Sequence, residues 1–179
     1  MRYDLGGIGK GREGCLTVNL VEPCDIVHDI TDLDGFIPGD GGVEEFRLVH
    51  TLEHVHPTKY RQFLLDLRRK LRWGGEVRVV QSDVGAVLRQ WLRGELPWRA
   101  MRTVLFTPEH VLREEPLRVH YNMWTQEELA RDFEACGFRV TAFDAGSWRY
   151  DHLDPFFPEE TLRCHGTPIL NLGVLATKE

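Results

Sequence analysis

The 179-residue sequence predicts a single α/β domain built around an open sheet. Two observations carry this. Short β-rich runs alternate with amphipathic helical stretches through the second half. The first half is strands joined by loops, and its first apolar run, Tyr3 to Leu5, enters a glycine-rich turn at once. A hydrophobic content of 42% with 28% charged residues is the balance of an ordinary globular domain with a real core.

The elements follow in order. Leu16 to Leu20 is β-rich, and Asp25 to His28 is a further short strand candidate. Leu33 to Gly42 carries Pro38 and four glycines, so it reads as a loop. Phe46 to Val49 has the composition of a buried strand and runs into His50-Thr51-Leu52-Glu53-His54. Pro57 suits the first turn of a helix. Tyr60, Phe63, Leu64, Leu67 and Leu71 then form one apolar stripe at helical spacing. Trp73-Gly74-Gly75 is expected to end that helix.

Glu76 to Val80 alternates as a strand, and Ser82 or Asp83 can cap the following helix, whose apolar face is Val84, Val87, Leu88 and Trp91. Residues 94–119 are broken by Pro97, Pro108 and Pro116 and read as an excursion over one end of the sheet. Thr125 and Glu128 have capping-box spacing. Gly137 closes that helix before a strand from Phe138 to Phe143, and Ile169 to Thr177 is the last strand. We treat 1–179 as one domain and 94–119 as an insertion on the side of a ligand.

Composition excludes several classes. The formal net charge is -6. The one dense basic cluster, Arg68, Arg69, Lys70 and Arg72, lies on an amphipathic helix, where a solvated face is the ordinary role. Nucleic acid is thus disfavoured as a partner. No apolar run approaches the ~20 residues that span a bilayer, so no membrane is expected. No apolar leader opens the sequence, and the four cysteines show no C-x-x-C spacing. A cytoplasmic protein with free thiols is the expectation.

In open α/β sheets, ligands bind beyond the carboxyl ends of the strands. The candidate groups are therefore Gly6 to Gly11, Asn19, Asp29, His50 to His54 and Gln81 to Asp83. A glycine turn lets a ligand approach the backbone closely, and a side chain at Gly6 would be expected to occupy ligand space. The turn departs from the dinucleotide fingerprint, since Arg12 stands where a third glycine belongs. Leu16 also begins the next strand too soon for a helix that could hold a pyrophosphate. A cofactor without a pyrophosphate fits better.

Asp4-Leu5-Gly6-Gly7-Ile8-Gly9, Gly14 to Asn19, Asp25 to Ile30, Val49 to His54 and Leu71 to Val79 follow one another in an order that resembles the class I S-adenosylmethionine-dependent methyltransferases. The likeness is to a short branch in which the glycine loop passes directly into the second strand. Trp124 to Leu129 and Ala135 to Phe138 resemble that family's late helix-and-strand unit. The resemblance covers about residues 3 to 143.

It implies a Rossmann-like sheet, mostly parallel with an antiparallel last strand and helices on both faces, and S-adenosylmethionine as cofactor. Asp4, Gly6, Gly7 and Gly9 would face its methionine part. Asn19 falls where the family places an acid for the ribose, and it can hydrogen-bond but carries no charge. Asp29 and Ile30 would flank the adenine, and His50, Thr51 and Leu52 would lie near the sulfonium. Ile8 stands where the usual Gly-x-Gly start would place a glycine.

Methyl transfer needs an aligned nucleophile and, for oxygen or nitrogen acceptors, a base. His54 and Asp83 are the nearest candidates. Against this, His54 can simply bond backbone at a helix entry, and Asp83 can be a plain cap. The acceptor expected is a small molecule or a sugar-like glycan, near Trp98, Phe106, Trp124 and Trp148. These rings serve equally as core. The chain opens at its first strand without a lid, which suits a site that is open or completed by a second subunit, as in a homodimer.

Two other readings remain. One is a non-catalytic relative that keeps the fold for binding or scaffolding. The other is a zinc hydrolase, because His50, Glu53 and His54 match H-x-x-E-H. That motif needs both histidines on one helix, which the β-like run before it and Pro57 behind it oppose. The sequence expectation is therefore no bound metal.

Overall fold

The computed structural model describes residues 1–7, 9, 14–106, 119–149 and 166–179. Its strands are β1 (Arg2–Leu5), β2 (Cys15–Asn19), β3 (Ile26–Val27), β4 (Val43–Val49), β5 (Leu71–Ser82), β6 (Phe138–Arg149) and β7 (Pro168–Lys178). Its helices are α1 (Pro57–Lys70), α2 (Val84–Leu92), α3 (Trp98–Leu105) and α4 (Gln126–Ala135).

The seven strands form one sheet in the order β3-β2-β1-β4-β5-β7-β6. The pairs from β3 through β5 are parallel, and β7 runs antiparallel between β5 and β6. The Rossmann-like sheet with its reversed last strand is thus present.

Side chains alternate across each strand, which sorts the sheet into two faces. Tyr3, Leu5, Phe46, Leu48, Val77, Val79, Leu172, Val174 and Ala176 lie in one core with Phe63, Leu64 and Leu67 of α1 and Leu129 and Phe133 of α4. Burying each large apolar side chain there contributes about 1.5–3 kcal/mol. A second cluster joins Val87 of α2 and Ala100, Met101, Val104 and Leu105 of α3 to Ile169, which lies on the opposite pleat from Leu172. Nearer the middle of the sheet that second face carries a row of polar residues, Asp4, Arg47 and Arg78, in direct register.

The helix boundaries have local causes. Pro57 sits in the first turn of α1. Asp83 caps α2 by accepting from Ala86 N at 3.0 Å. Thr125 and Glu128 form the expected capping box of α4, and Gly137 takes a left-handed φ of 85° just beyond it. Tyr60 Oη and Trp124 Nε1 both donate to Asp132 Oδ2 at 3.0 Å, which ties α1 and the 119–125 segment to α4.

Several expectations are corrected. α1 ends at Lys70 rather than at the glycines, and Leu71 is already extended and pairs with Val43. The left-handed turn at Gly74 falls inside β5. The loop at 33–42 contains a 3₁₀ turn, Leu33–Gly35, which buries Leu33. β6 is twice the length foreseen: Gly146 at φ 68° shifts the register between Asp144 and Ser147 and lets pairing resume.

Lys70 was read as part of a solvated basic face, yet its side chain is only 2% exposed. Its Nζ donates to the carbonyls of Ile37 and Gly39 at 2.8 and 2.9 Å and meets Asp34 Oδ1 at 2.6 Å. Arg69 holds Asp34 from the outside at 2.8 Å. Together the two cations hold the Asp34 carboxyl down to about 2.

Cys15, Cys24 and Cys136 are free thiols, while Cys164, Ile8, residues 107–118 of the excursion and the Trp148 side chain fall outside the described atoms. Among the described residues, no helix is long and apolar enough to cross a membrane.

Candidate functional site

Apart from Asp4 within β1, the described residues singled out as ligand groups end or follow a strand, because the parallel strands all point their carboxyl ends to the same edge. These residues gather into three clusters.

The first is the glycine loop. Gly6 and Gly9 take left-handed φ values of 82° and 90°. At Gly9 a Cβ would meet nothing within 4 Å, so the space beside its Cα is open, while its N–H donates to Pro23 O and its carbonyl accepts from Thr17 Oγ1, both at 2.6 Å. At Gly7 a Cβ would lie 3.0 Å from Asp4 Cγ, which places the Asp4 side chain under the loop. Asn19 Nδ2 donates to the carbonyls of Gly6 and Gly7 at 3.2 and 3.3 Å, and its Oδ1 accepts from Leu20 N at 2.7 Å. Asn19 therefore holds the loop's shape.

Gly6 differs from the expectation. A Cβ there would collide with Thr51, with Cγ2 only 2.6 Å away. The space is filled by Thr51, whose hydroxyl donates to Leu5 O at 3.0 Å and locks β1 to the end of β4. Gly6→Val should thus destabilise the fold by about 2 kcal/mol through left-handed strain and crowding. Chemical denaturation would read this, and unchanged stability would show that Thr51 can move away.

The second cluster follows β3. Asp29 Oδ1 accepts from Thr31 N and Oγ1 at 2.9 and 2.8 Å, and Oδ2 accepts from Lys59 of α1 at 3.2 Å. Partial burial pushes the Asp29 carboxyl up, but these bonds outweigh it and hold it below its ordinary value. Ile30 packs against the main core.

The third cluster lies beyond β4. His50 has a positive φ of 49°, an unusual conformation for a side-chain-bearing residue. Leu52–His54 then forms one 3₁₀ turn before α1. Leu52 is fully buried in the core. His50 and His54 therefore do not share an α-helix, and the zinc-protease geometry is absent.

Instead Glu53 and His54 meet His120, a residue that the sequence did not single out. The rings of His54 and His120 lie 5.0 Å apart, edge to face. His54 Nδ1 faces Val119 O at 3.1 Å and His120 Nδ1 faces Leu105 O at 3.3 Å. Glu53 is 8% exposed. Its Oε2 has no hydrogen-bond partner among the described residues. Desolvation raises its carboxyl to about 7. Desolvation, and then the neighbouring His54, lower His120 to about 4.

A small cleft, partly open to solvent, is lined by Glu53, His120, Gln81, Ser82, Asn122 and Trp124 among others. Val104 and Leu105 of α3 close one side, which puts part of the 94–119 excursion beside the cleft. Of the other aromatic candidates, Trp98 packs on Trp91 with centroids 5.6 Å apart and, like Phe106, is about half exposed. Asp83 is engaged as the cap of α2, with Arg89 4.0 Å away.

The fold as a whole recurs in solved structures. A SAM-dependent methyltransferase from Archaeoglobus fulgidus matches with a TM-score of 0.61 at 15% identity, over 99% of this chain and 85% of that one. The fold is that of the class I methyltransferases. A methyltransferase of Thermotoga maritima superposes at a TM-score of 0.59 and 17% identity, covering 99% of this chain and 82% of its own. The 1,6-didemethyltoxoflavin-N1-methyltransferase of Burkholderia thailandensis, solved with 1,6-didemethyltoxoflavin and S-adenosylhomocysteine, gives 0.56 at 17% identity, over 99% and 70%. No protein-family model matches the sequence, and no curated protein matches it. Five residues, 10–14, separate Gly9 from the start of β2 at Cys15.

Proposed function

We propose that the protein transfers a methyl group from S-adenosylmethionine to a small-molecule acceptor. The observation that carries this reading is the open space beside Gly9, in the loop that follows β1, within a sheet of methyltransferase type. The residues suit this cofactor. Only residues 10–14 lie between Gly9 and β2, too few for a helix whose N-terminus could hold a pyrophosphate, and S-adenosylmethionine has none. Gly7, Gly9 and Asp4 would hold its methionine part. Asn19 would meet the ribose without a charge, Asp29 and Ile30 would flank the adenine, and His50 and Thr51 would border the reacting end.

When bound, the cofactor supplies a methyl group already activated on a sulfonium. The chain's own task is to align the acceptor and to manage its proton. The cleft past β4 and β5 offers Gln81, Ser82 and Asn122 as polar anchors and Trp124 as an apolar wall. His54, in the cluster with Glu53 and His120, stands where a departing proton can be taken up. Asp83 keeps the start of α2 in place beside it.

S-adenosylhomocysteine should bind and raise the melting temperature, since a ligand of the native state at 100 times its Kd adds about 2.7 kcal/mol. Differential scanning fluorimetry with calorimetric titration checks this. A folded protein that shows no shift at millimolar ligand would sink the cofactor assignment. Tight cofactor binding with no acceptor in any cellular fraction would favour the non-catalytic reading.

A further inference from the structure

We propose that Glu53, His54 and His120 form a binding site for one divalent transition-metal ion of the zinc class at the floor of the acceptor cleft. One ligand atom from each of the three residues lies within 4.8 Å of the others. Ligand atoms around a tetrahedral ion, at bonds of about 2.1 Å, stand about 3.4 Å apart. Small side-chain rotations therefore close the site.

Three independent features prepare these groups as ligands. Carbonyl oxygens can only accept, so the bonds to Val119 O and Leu105 O put the proton of each imidazole on Nδ1 and its lone pair on Nε2. This backbone support is the arrangement that orients metal-bound histidines. Glu53 Oε2 is buried without a hydrogen-bond partner among the described residues, which is costly for a carboxylate unless a cation joins it. The three come from two places: the 3₁₀ turn fixes Glu53 and His54, and the bond from Tyr121 N to Glu53 O at 2.7 Å pins the His120 segment beside them.

The donor set decides the ion. Two imidazoles and one carboxylate suit zinc and its neighbours in the first transition row, whereas magnesium prefers oxygen ligands and water. Three protein ligands also leave a fourth position, the pattern of a site that binds a further group. Glu53 and His120 line the cleft, so that position faces the expected acceptor.

The ion's role in catalysis rests on the methyl-transfer reading, while its binding does not. With the ion bound, His54 is a ligand and no longer the base, and an acceptor hydroxyl on the fourth position loses its proton to solvent more readily. Its oxygen then forms the O–C bond to the methyl group as the C–S bond breaks, and that electron pair stays on sulfur and cancels the sulfonium charge. The class of acceptor this selects is a hydroxyl-bearing small molecule.

The test uses the full chain, stripped with a chelator and titrated separately with Zn²⁺, Co²⁺ and Mg²⁺. Expected are one Zn²⁺ per chain, a raised melting temperature, and visible Co²⁺ absorption bands of nitrogen and oxygen coordination, with no comparable response to Mg²⁺. His120→Ala and Glu53→Gln should each weaken Zn²⁺ by more than the about 10–100-fold that loss of a mere supporting partner costs. Cooperative unfolding of each variant verifies its fold. No stoichiometric Zn²⁺ or Co²⁺ binding by folded wild-type protein, or unaltered affinity in both variants, overturns the proposal. So does a site that takes Mg²⁺ in preference. S-adenosylhomocysteine binding is measured on the same samples: its absence beside intact Zn²⁺ binding would remove the methyl-transfer reading and leave the metal site standing.

Discussion

Lys70→Met should lower the free energy of unfolding by about 1–3 kcal/mol, the usual cost of leaving buried acceptors without their donor. The methylene stem would still fill its space. The carbonyls of Ile37 and Gly39 would lose their donor, and Asp34 would lose one of its two cations. The loop between β3 and β4 would then be poorly held. Urea denaturation reads the change, and a loss under 1 kcal/mol would show that Arg69 alone suffices. The same ion pairs set the acid limit. The Asp34 carboxyl is depressed to about 2 from an ordinary value of 3.8, so its contribution is complete above 3.8 and fades as pH falls through 2. Lys70→Met should flatten that part of the profile.

The second large effect concerns turnover. His54→Ala should cut methyl transfer by about 10²–10⁴-fold, the worth of a positioned acid–base group, and leave S-adenosylhomocysteine affinity nearly unchanged. If the bond to Val119 O is all that His54 provides, stability should fall by about 1 kcal/mol and turnover per folded molecule should hold. A screen of cell extract with methyl-labelled cofactor comes first, to supply the acceptor. Equal turnover in variant and wild type, with that acceptor, would remove His54 from the chemistry.

The succession of strands and helices along the chain, the capping box at Thr125 and the Pro57 start were legible because each depends on neighbours a few residues apart. The same locality explains what was hidden. Lys70 shares a sequence window with Arg68 and Arg69, and nothing within that window distinguishes a buried ammonium from two solvated guanidiniums. Its partners, Asp34 and the carbonyls of Ile37 and Gly39, lie more than thirty residues away.

His120 was missed for the same reason. It stands in a proline-broken stretch with no periodicity, and only the fold brings it to His54, which is 66 positions earlier. The H-x-x-E-H pattern did draw notice, but its usual helix was the wrong scaffold: a left-handed His50 and one 3₁₀ turn present Glu53 and His54 instead. Gly6 looked like room for a ligand because a sequence does not show that Thr51 fills that room.

The twelve-residue edge strand β6 has a bearing on how copies of the chain meet. An unbroken edge of that length would offer another chain a continuous row of amides and carbonyls to zip onto. The left-handed Gly146 and the slipped register between Asp144 and Ser147 divide that row into two short pieces of different phase. Arg139, tied to the Glu179 side chain, places charge at its start. An incoming strand could match only one of the two pieces, Phe138 to Asp144 or Ser147 to Arg149, and not the whole edge. The molecule thereby keeps a long outer strand for its own sheet without turning it into a template for aggregation.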